Sequence, residues 1–292
     1  MSVLEGGRRE RRRVLHAGTP QWATPAPEGL MLDDGRHVAV DAVRHLPPCS
    51  PSKILCVHTN FQSRIYEVLG KNEPPPAPTF FLKPLSALNH HDGELALPEG
   101  YKFLNYEGEL AVIVGRPMRN VLPQDVWDCL AGFTVANDVG LQDMRDADLG
   151  CMVRVKGGDG FCPLGPGIVW GIDVRQSTLR TYLNGELVQE GAVAEMVFGI
   201  DYLLADLARH ITLEPGDVIL TGTPANSRPM AAGDVVEVEV SDVGRLRSTV
   251  RATPAPRARI GDQPQDNPGI RRVALGNDER LPPHLTRTRL KF

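Results

Sequence analysis

The sequence is short of several things, and each shortage narrows the field. Five cysteines in 292 residues, Cys49, Cys56, Cys129, Cys151 and Cys162, form no CxxC pair and no zinc-type spacing. That argues against a disulfide scaffold or a structural zinc site. An odd count, with no apolar h-region behind the N-terminal arginine run, fits a reducing compartment, so a soluble, cytoplasmic protein is expected. No stretch approaches the roughly 18 apolar residues that a membrane-spanning helix needs, and no membrane partner is expected. Phosphate-binding glycine loops are missing too. Gly157-Gly158-Asp159-Gly160 fits neither GxxxxGK[ST] nor GxGxxG and reads as an ordinary loop. Basic charge is confined to the ends: residues 1–16 hold five Arg against two Glu, and 251–292 hold nine basic against four acidic residues. With a formal net charge of −4 for the whole chain, the body at 17–250 carries −12. An acidic body lacks the basic face that nucleic-acid binding asks for, and the basic ends read as solvated.

What is present is an ordinary globular composition, 41% apolar and 23% charged, in a chain long enough for one large domain with a small companion. Residues 1–13, polar and Arg-rich, are expected to be disordered. Gly29-Leu-Met-Leu and His37-Val-Ala-Val flank Asp33-Asp34-Gly35, a hairpin signal inside a small N-terminal β region at 14–48. Pro47, Pro48 and Pro51 mark the boundary with a main unit at 49–250. There the patterning predicts strands over 53–57, 79–82, 104–114, 132–136, 167–170, 179–183, 186–189 and 218–220. A last strand at 235–240 alternates Val with Glu, as in a sheet with one solvated face. Helices are expected at 61–69, 123–131 and 202–208. Residues 140–160 are polar, Asp-rich and aperiodic, the composition of a lid. The remainder, 251–292, reads as a basic, Pro-rich tail or an arm against a partner. Strands dominate, so the fold class is α+β, β-rich.

One stretch carries a chemical tension. In Asn105-Tyr-Glu107-Gly-Glu109-Leu-Ala-Val-Ile-Val-Gly115, an extended backbone sends Glu107 and Glu109 to one face and Leu110, Val112 and Val114 to the other. Two adjacent carboxylates beside an apolar run repel one another and are costly to desolvate unless a cation lies between them. Asp138, opening the segment after the next apolar run, offers a third oxygen ligand. Oxygen-only donors suit a hard octahedral cation.

The order of several short motifs then points to a family. Glu107-x-Glu109, Asn137-Asp138-Val139, Lys156-x-x-Asp159-Gly-Phe-Cys-Pro-Leu-Gly-Pro166, Asn184-Gly-Glu, Leu213-x-Pro-Gly-Asp217 and Thr221-Gly-Thr-Pro224 together resemble the fumarylacetoacetate hydrolase family over about 53–250. Arg154-Val-Lys-x-x-Asp-Gly is most similar to the branch of 5-carboxymethyl-2-hydroxymuconate isomerases and 5-oxopent-3-ene-1,2,5-tricarboxylate decarboxylases. The resemblance implies a fumarylacetoacetase C-terminal-like mixed β-roll, commonly a homodimer. It also implies a Mg²⁺, Mn²⁺ or Ca²⁺ site on Glu107, Glu109 and Asp138. A small 2-oxo or 2-hydroxy acid would chelate that ion, which would stabilise an enolate while a proton moves or a C–C bond breaks. Catalytic roles would fall to Lys156, Glu67 and Arg64, and substrate binding to Asn60, Lys83, Gln142, Asp159, Gly222 and Thr223.

Two positions depart from the family pattern. Many members carry Asn-Tyr-x-x-His-x-x-Glu, a His/Glu dyad on a short lid helix; here the segment reads Asn60-Phe-Gln-Ser-Arg64-Ile-Tyr-Glu67. Arginine stays protonated and is no practical base, which counts against water-dependent C–C hydrolysis and for isomerisation, with Glu67 left to shuttle the proton. Isomerisation or decarboxylation of a 2-hydroxy-dienoate or 2-oxo dicarboxylate is the leading expectation. Hydrolysis of an acylpyruvate, and a non-catalytic 2-oxo-acid-binding role, stay open as alternatives. Gln142 stands where many members have Arg. His58 is a stand-in for the missing base, or simply a neighbour of the site. His90-His91 lacks a third ligand at useful spacing, Cys162 reads as a packed thiol, and Arg145, Asp146 and Asp148 read as solvated lid residues.

Overall fold

The computed structural model describes residues 3–285. A 12-stranded sheet runs in the order His37–Val38, Gly29–Leu32, Thr19–Ala26, Arg9–His16, Cys162–Trp170, Leu130–Asn137, Gly108–Val114, Val218–Leu220, Ile54–Val57 and Phe80–Lys83. Arg44–His45 and Leu88–His90 pair beside this path. A 5-stranded sheet follows the order Glu186–Ala192, Thr178–Leu183, Val235–Val240, Gly244–Thr253 and Gly93–Pro98. The class is mixed α+β and β-rich, with the N-terminal strands continuing the main sheet.

The strand Gly108–Val114 is buried along its whole length. Alternation divides its side chains between two cores. Leu110, Val112 and Val114 join Leu179, Val238, Val240 and the apolar face of the helix Ile200–His210, while Ala111 and Ile113 pack with Cys56, Val155 and Cys162. Burial on both faces explains why this segment reads as a continuous apolar run. Its antiparallel register with Leu130–Asn137 sets Glu109 opposite Ala136 and Gly108 opposite Asn137. Residues opposite one another share a face, so Asp138, two past Ala136, projects to the same side as Glu109. Its own N–H closes the pair by donating to the Glu107 carbonyl at 2.8 Å.

Several expectations need correction. The disorder expected at 1–13 gives way to the strand Arg9–His16, paired with Ile168–Trp170 on one edge and with Thr19–Ala23 on the other. Three arginines there find local partners: Arg8, just before the strand, and Arg12 both bond the buried Glu10, and Arg11 pairs with Asp33 and lies over Trp22. The single strand expected at 104–114 is broken at Tyr106–Glu107, between Leu104–Asn105 and Gly108–Val114. The helix expected at 123–131 is a 3₁₀ segment, Pro123–Cys129. Val235–Val240 is not the last strand, because Gly244–Thr253 follows across the Asp242 turn and carries the 5-stranded sheet past the boundary drawn at 250.

The C-terminal segment is an arm that returns to its own chain. The helix Pro268–Ala274 is capped by Asn267, whose side chain accepts from Ile270 N–H, and Ile270 and Ala274 pack against Phe103. Residues 286–292, the end of that expected tail, lie outside the described residues. No helix of the described residues is long and apolar enough to cross a membrane.

Candidate metal centre

Three carboxylates converge where the paired strands end. Glu107, Glu109 and Asp138 are all buried, and one oxygen from each lies within 4.8 Å of the others. Two ammonium groups face them. Lys156 Nζ is 2.5 Å from Glu107 Oε2 and 2.8 Å from Asp138 Oδ2, and Lys83 Nζ is 2.5 Å from Asp138 Oδ1.

Local structure delivers both lysines. Lys83 ends the strand Phe80–Lys83. Lys156 ends the helical turn Val153–Lys156, whose first N–H groups, on Arg154 and Val155, donate to the Asp148 carboxylate at 2.6 and 2.9 Å. A capping carboxylate of this kind satisfies donors that the turn itself leaves open. Gly140 lets the Lys156 stem pass, since a Cβ there would meet its Cδ and Cε at 3.1 and 3.2 Å.

The three acids are not equally compensated. Burial would raise Asp138, but Lys156 and Lys83 hold its carboxyl below the ordinary range. Glu109 goes the other way: burial first, then the neighbouring Asp138, pushes it well above its usual value. It accepts a 2.6 Å hydrogen bond from Gly222 N–H but has no ammonium of its own among the described residues. Gly222 can make that approach because φ is +100° and a Cβ would lie 2.8 Å from Asn60 Cβ. An oxygen-only set with a buried, undercompensated carboxylate fits a hard divalent cation, which would supply the missing positive charge.

Beside this centre lies a second charged group. On the helix Gln62–Leu69, Arg64 and Glu67 are both buried, and Glu67 sits between two guanidiniums: Arg64 NH1 at 2.6 Å and Arg228 NH1 at 2.7 Å. Asn226 N–H also donates to it, at 3.1 Å. Burial would raise Glu67, yet Arg64 and Arg228 hold it below its ordinary value. Such a carboxylate is a weak base, so the proton-shuttling role expected of Glu67 does not fit its surroundings. Arg64 links the two groups, with its other terminal nitrogen 3.6 Å from Glu107 Oε1. The C-terminal arm closes over the clamp: Asp278 reaches Arg228 at 3.3 Å, and Arg280 caps the helix by donating to the Glu67 carbonyl at 3.2 Å.

The expected substrate-binding residues divide. Lys83 and Gly222 touch the carboxylates; Gln142 is buried beside Gly140 and the Lys156 stem, and Thr223 directly follows Gly222. Lys83 bonds Asp138 and Gly222 bonds Glu109, and Thr223 Oγ1 accepts from Gln189 at 2.9 Å while its own proton has no acceptor among the described residues. Asn60 is fully buried and spends its amide on backbone, donating to Thr221 and Phe198 carbonyls and accepting from Phe198 N–H. It positions the Gly222 turn rather than facing substrate. Asp159 stays exposed on the loop beyond Lys156.

The sequence reading missed Arg228, Ser227 and the contacts of the C-terminal arm with its own chain. Ser227 Oγ donates to Glu107 at 3.2 Å. Both residues follow the Thr221-Gly-Thr-Pro224 motif within a few positions, and Arg228 is the sole charge between Leu220 and Asp234, the one signal that pointed to it. His58 lies within electrostatic range of Lys156, Arg145, Asp138 and Glu107, and its ring packs 4.7 Å from Phe81. Burial, then Lys156 and Arg145, lower its pKa, and its ring makes no hydrogen bond among the described residues. His91 instead packs against His45. Cys162 is fully buried, and burial pushes its thiol up to about 12, which suits packing rather than nucleophilic attack.

Comparison with known proteins identifies relatives of the chain as a whole. The family model described as Fumarylacetoacetate (FAA) hydrolase C-terminal matches residues 53–251. An uncharacterized protein of Archaeoglobus fulgidus is 39% identical over 221 residues, covering 75% of this chain and 87% of that protein. The 4-hydroxyphenylacetate degradation bifunctional isomerase/decarboxylase of Salmonella dublin is 38% identical over 240 residues, 81% of this chain and 54% of that protein. Among solved structures, the 5-carboxymethyl-2-hydroxymuconate delta-isomerase of Mycobacterium smegmatis superposes with a TM-score of 0.76 at 32% identity, covering 84% of this chain and 99% of that one.

Proposed function

The chain belongs to the fumarylacetoacetate hydrolase family, and on that premise we propose that it isomerises or decarboxylates a 2-hydroxy-dienoate or 2-oxo dicarboxylate of the kind met in aromatic-compound breakdown. The observation that carries this reading is the buried Glu107, Glu109 and Asp138 cluster with its undercompensated Glu109. Relatives named as isomerases and isomerase/decarboxylases support it. Mg²⁺ or Mn²⁺ is the expected ion, with Ca²⁺ the larger alternative.

A divalent cation bound there supplies Lewis-acid polarisation of a 2-oxo acid. The chain's own groups do the rest. Lys156 and Lys83 fix Asp138 and Glu107 and place positive charge beside an oxygen that becomes anionic as a proton or CO₂ leaves. Thr223 has a hydroxyl proton to give to a substrate carboxylate. Proton movement needs a base with a free lone pair, and His58, whose ring makes no hydrogen bond among the described residues, is better suited than Glu67, which is clamped between Arg64 and Arg228. Glu67 instead holds Arg64 against Glu107. Hydrolysis of a C–C bond draws less support, because no His/Glu dyad stands on the Gln62–Leu69 helix. A homodimer in the cytoplasm completes the reading, and sedimentation of the purified protein tests the first part.

The test of function is a panel of 2-hydroxy-dienoates, 2-oxo diacids and acylpyruvates followed by enol absorbance with Mg²⁺ or Mn²⁺, then after chelation. Turnover of a dienoate or diacid that stops with chelator is expected. Full activity in metal-stripped protein contradicts the proposal. Two acid products from an acylpyruvate would move the assignment to hydrolysis, and binding without any turnover would make the chain a 2-oxo-acid-binding protein.

A further inference from the structure

The segment that follows Asp138 carries a guanidinium with no counter-ion. Arg145 is half-buried, and no carboxylate lies within ion-pair distance of it among the described residues. Its one hydrogen bond runs to Gln142 Oε1 at 3.3 Å, long for a charged donor. Burial lowers its pKa, and the nearby Arg64 and Arg272 lower it further, while Glu107 and Asp146 work in the opposite direction. Three guanidiniums thus approach one region in which Arg64 is committed to Glu67 and Arg272 is exposed on the arm. Leaving a charge half-desolvated and unpaired is costly unless a ligand repays it.

Arg145 also lines a cavity of about 340 Å³, together with Asp146, Leu149, Gly150 and Met152. The loop that forms this wall is held rather than free: Asp143 accepts from Lys102 and Phe103 N–H groups, and Asp148 accepts from Arg154 and Val155. Asp146 is turned to the arm, accepting from Asn267 at 2.8 Å. Arg145 is therefore the cavity residue that connects to the carboxylate centre, since it bonds Gln142, whose Nε2 flanks Gly140 together with the Lys156 stem.

We propose that Arg145 is the anchor for the distal carboxylate of a dicarboxylic substrate, gripping it from the cavity wall while the 2-oxo acid end faces Glu107, Glu109 and Asp138. The assignment rests on the 2-oxo-acid reading of the site given above. A planar guanidinium takes a carboxylate through two parallel N–H···O bonds, which an ammonium cannot reproduce. Position 142, where a neutral amide stands, then serves to hold Arg145 in place through its Oε1.

The test uses matched probes that differ only in the distal carboxylate: 2-oxopentanedioate against 2-oxopentanoate, and 2-oxohexanedioate against 2-oxohexanoate. Dissociation constants are measured calorimetrically on Mg²⁺-saturated protein. The wild type is expected to favour at least one diacid by about 10- to 100-fold. Arg145→Met should abolish that advantage while leaving monoacid binding unchanged, and Arg145→Lys should restore part of it. The melting temperature of each variant verifies folding. A diacid preference that survives in Arg145→Met, or equal binding of diacid and monoacid by the wild type, overturns the anchor and leaves the 2-oxo-acid site standing. Failure of the wild type to bind any of the four acids overturns both.

Discussion

Glu109 and Glu67 are glutamates buried in one site, and their surroundings drive them in opposite directions. At the strand end, three carboxylates meet two ammonium groups, and Glu109 is pushed well above its ordinary value by burial and by Asp138. On the helix Gln62–Leu69, one carboxylate meets two guanidiniums, and Glu67 is held below its ordinary value. The first region has unmet negative charge, which is what a cation requires. The second has no charge left to trade with a substrate and serves as a rigid wall, locked by the returning arm. Burial alone does not make a carboxylate functional; the balance of its neighbours decides.

That contrast breaks most visibly by substitution. Removing Glu67 strands two buried guanidiniums, so Glu67→Ala should destabilise the protein by about 3–5 kcal/mol in urea unfolding. Asp138→Asn should weaken Mn²⁺ binding by about 100-fold, or roughly 2.7 kcal/mol, read by titration calorimetry. Saturating Mg²⁺, at about 100 times its dissociation constant, should add about 2.7 kcal/mol to the stability of the wild type and much less to Asp138→Asn. Acid should find the clamp. The folded-state pKa of Glu67 lies below its ordinary 4.5, so its stabilisation is fully present above that value and is lost as pH falls through the depressed one. The urea midpoint should therefore drop on going from neutral pH to acid, and drop less in Glu67→Gln. The smallest effect is reserved for Glu109→Gln without metal, which should shift stability by under about 1 kcal/mol, because burial and Asp138 already oppose the charge that the amide removes.

The same contrast explains what could be read from the chain. The carboxylate centre was legible because alternation fixes the face of Glu109, Glu107 stands two residues before it at the strand's edge, and Asp138 follows directly on the paired strand that ends at Asn137. Hairpins with strong turn signals, such as Leu183-Asn184-Gly185-Glu186, appear where the pattern places them. The Arg9–His16 strand was hidden because its polar residues are satisfied by partners distant in sequence or by Glu10 inside the strand, a context that local propensity cannot register. The helix within the arm was hidden for a related reason. Pro268–Ala274 is too short to be stable alone and depends on Asn267 and Phe103. Arg228 belongs to this class as well, since its meaning comes from Glu67, 161 residues away.

The most direct measurement is Mn²⁺ titration of metal-stripped wild type beside Glu109→Gln, with folding of both verified by melting. One ion per chain on the wild type, and binding weakened by about 100-fold or more in Glu109→Gln, is the predicted result. Absence of binding by the wild type, or equal affinity in the two proteins, would contradict the claim that this buried cluster exists to hold a cation.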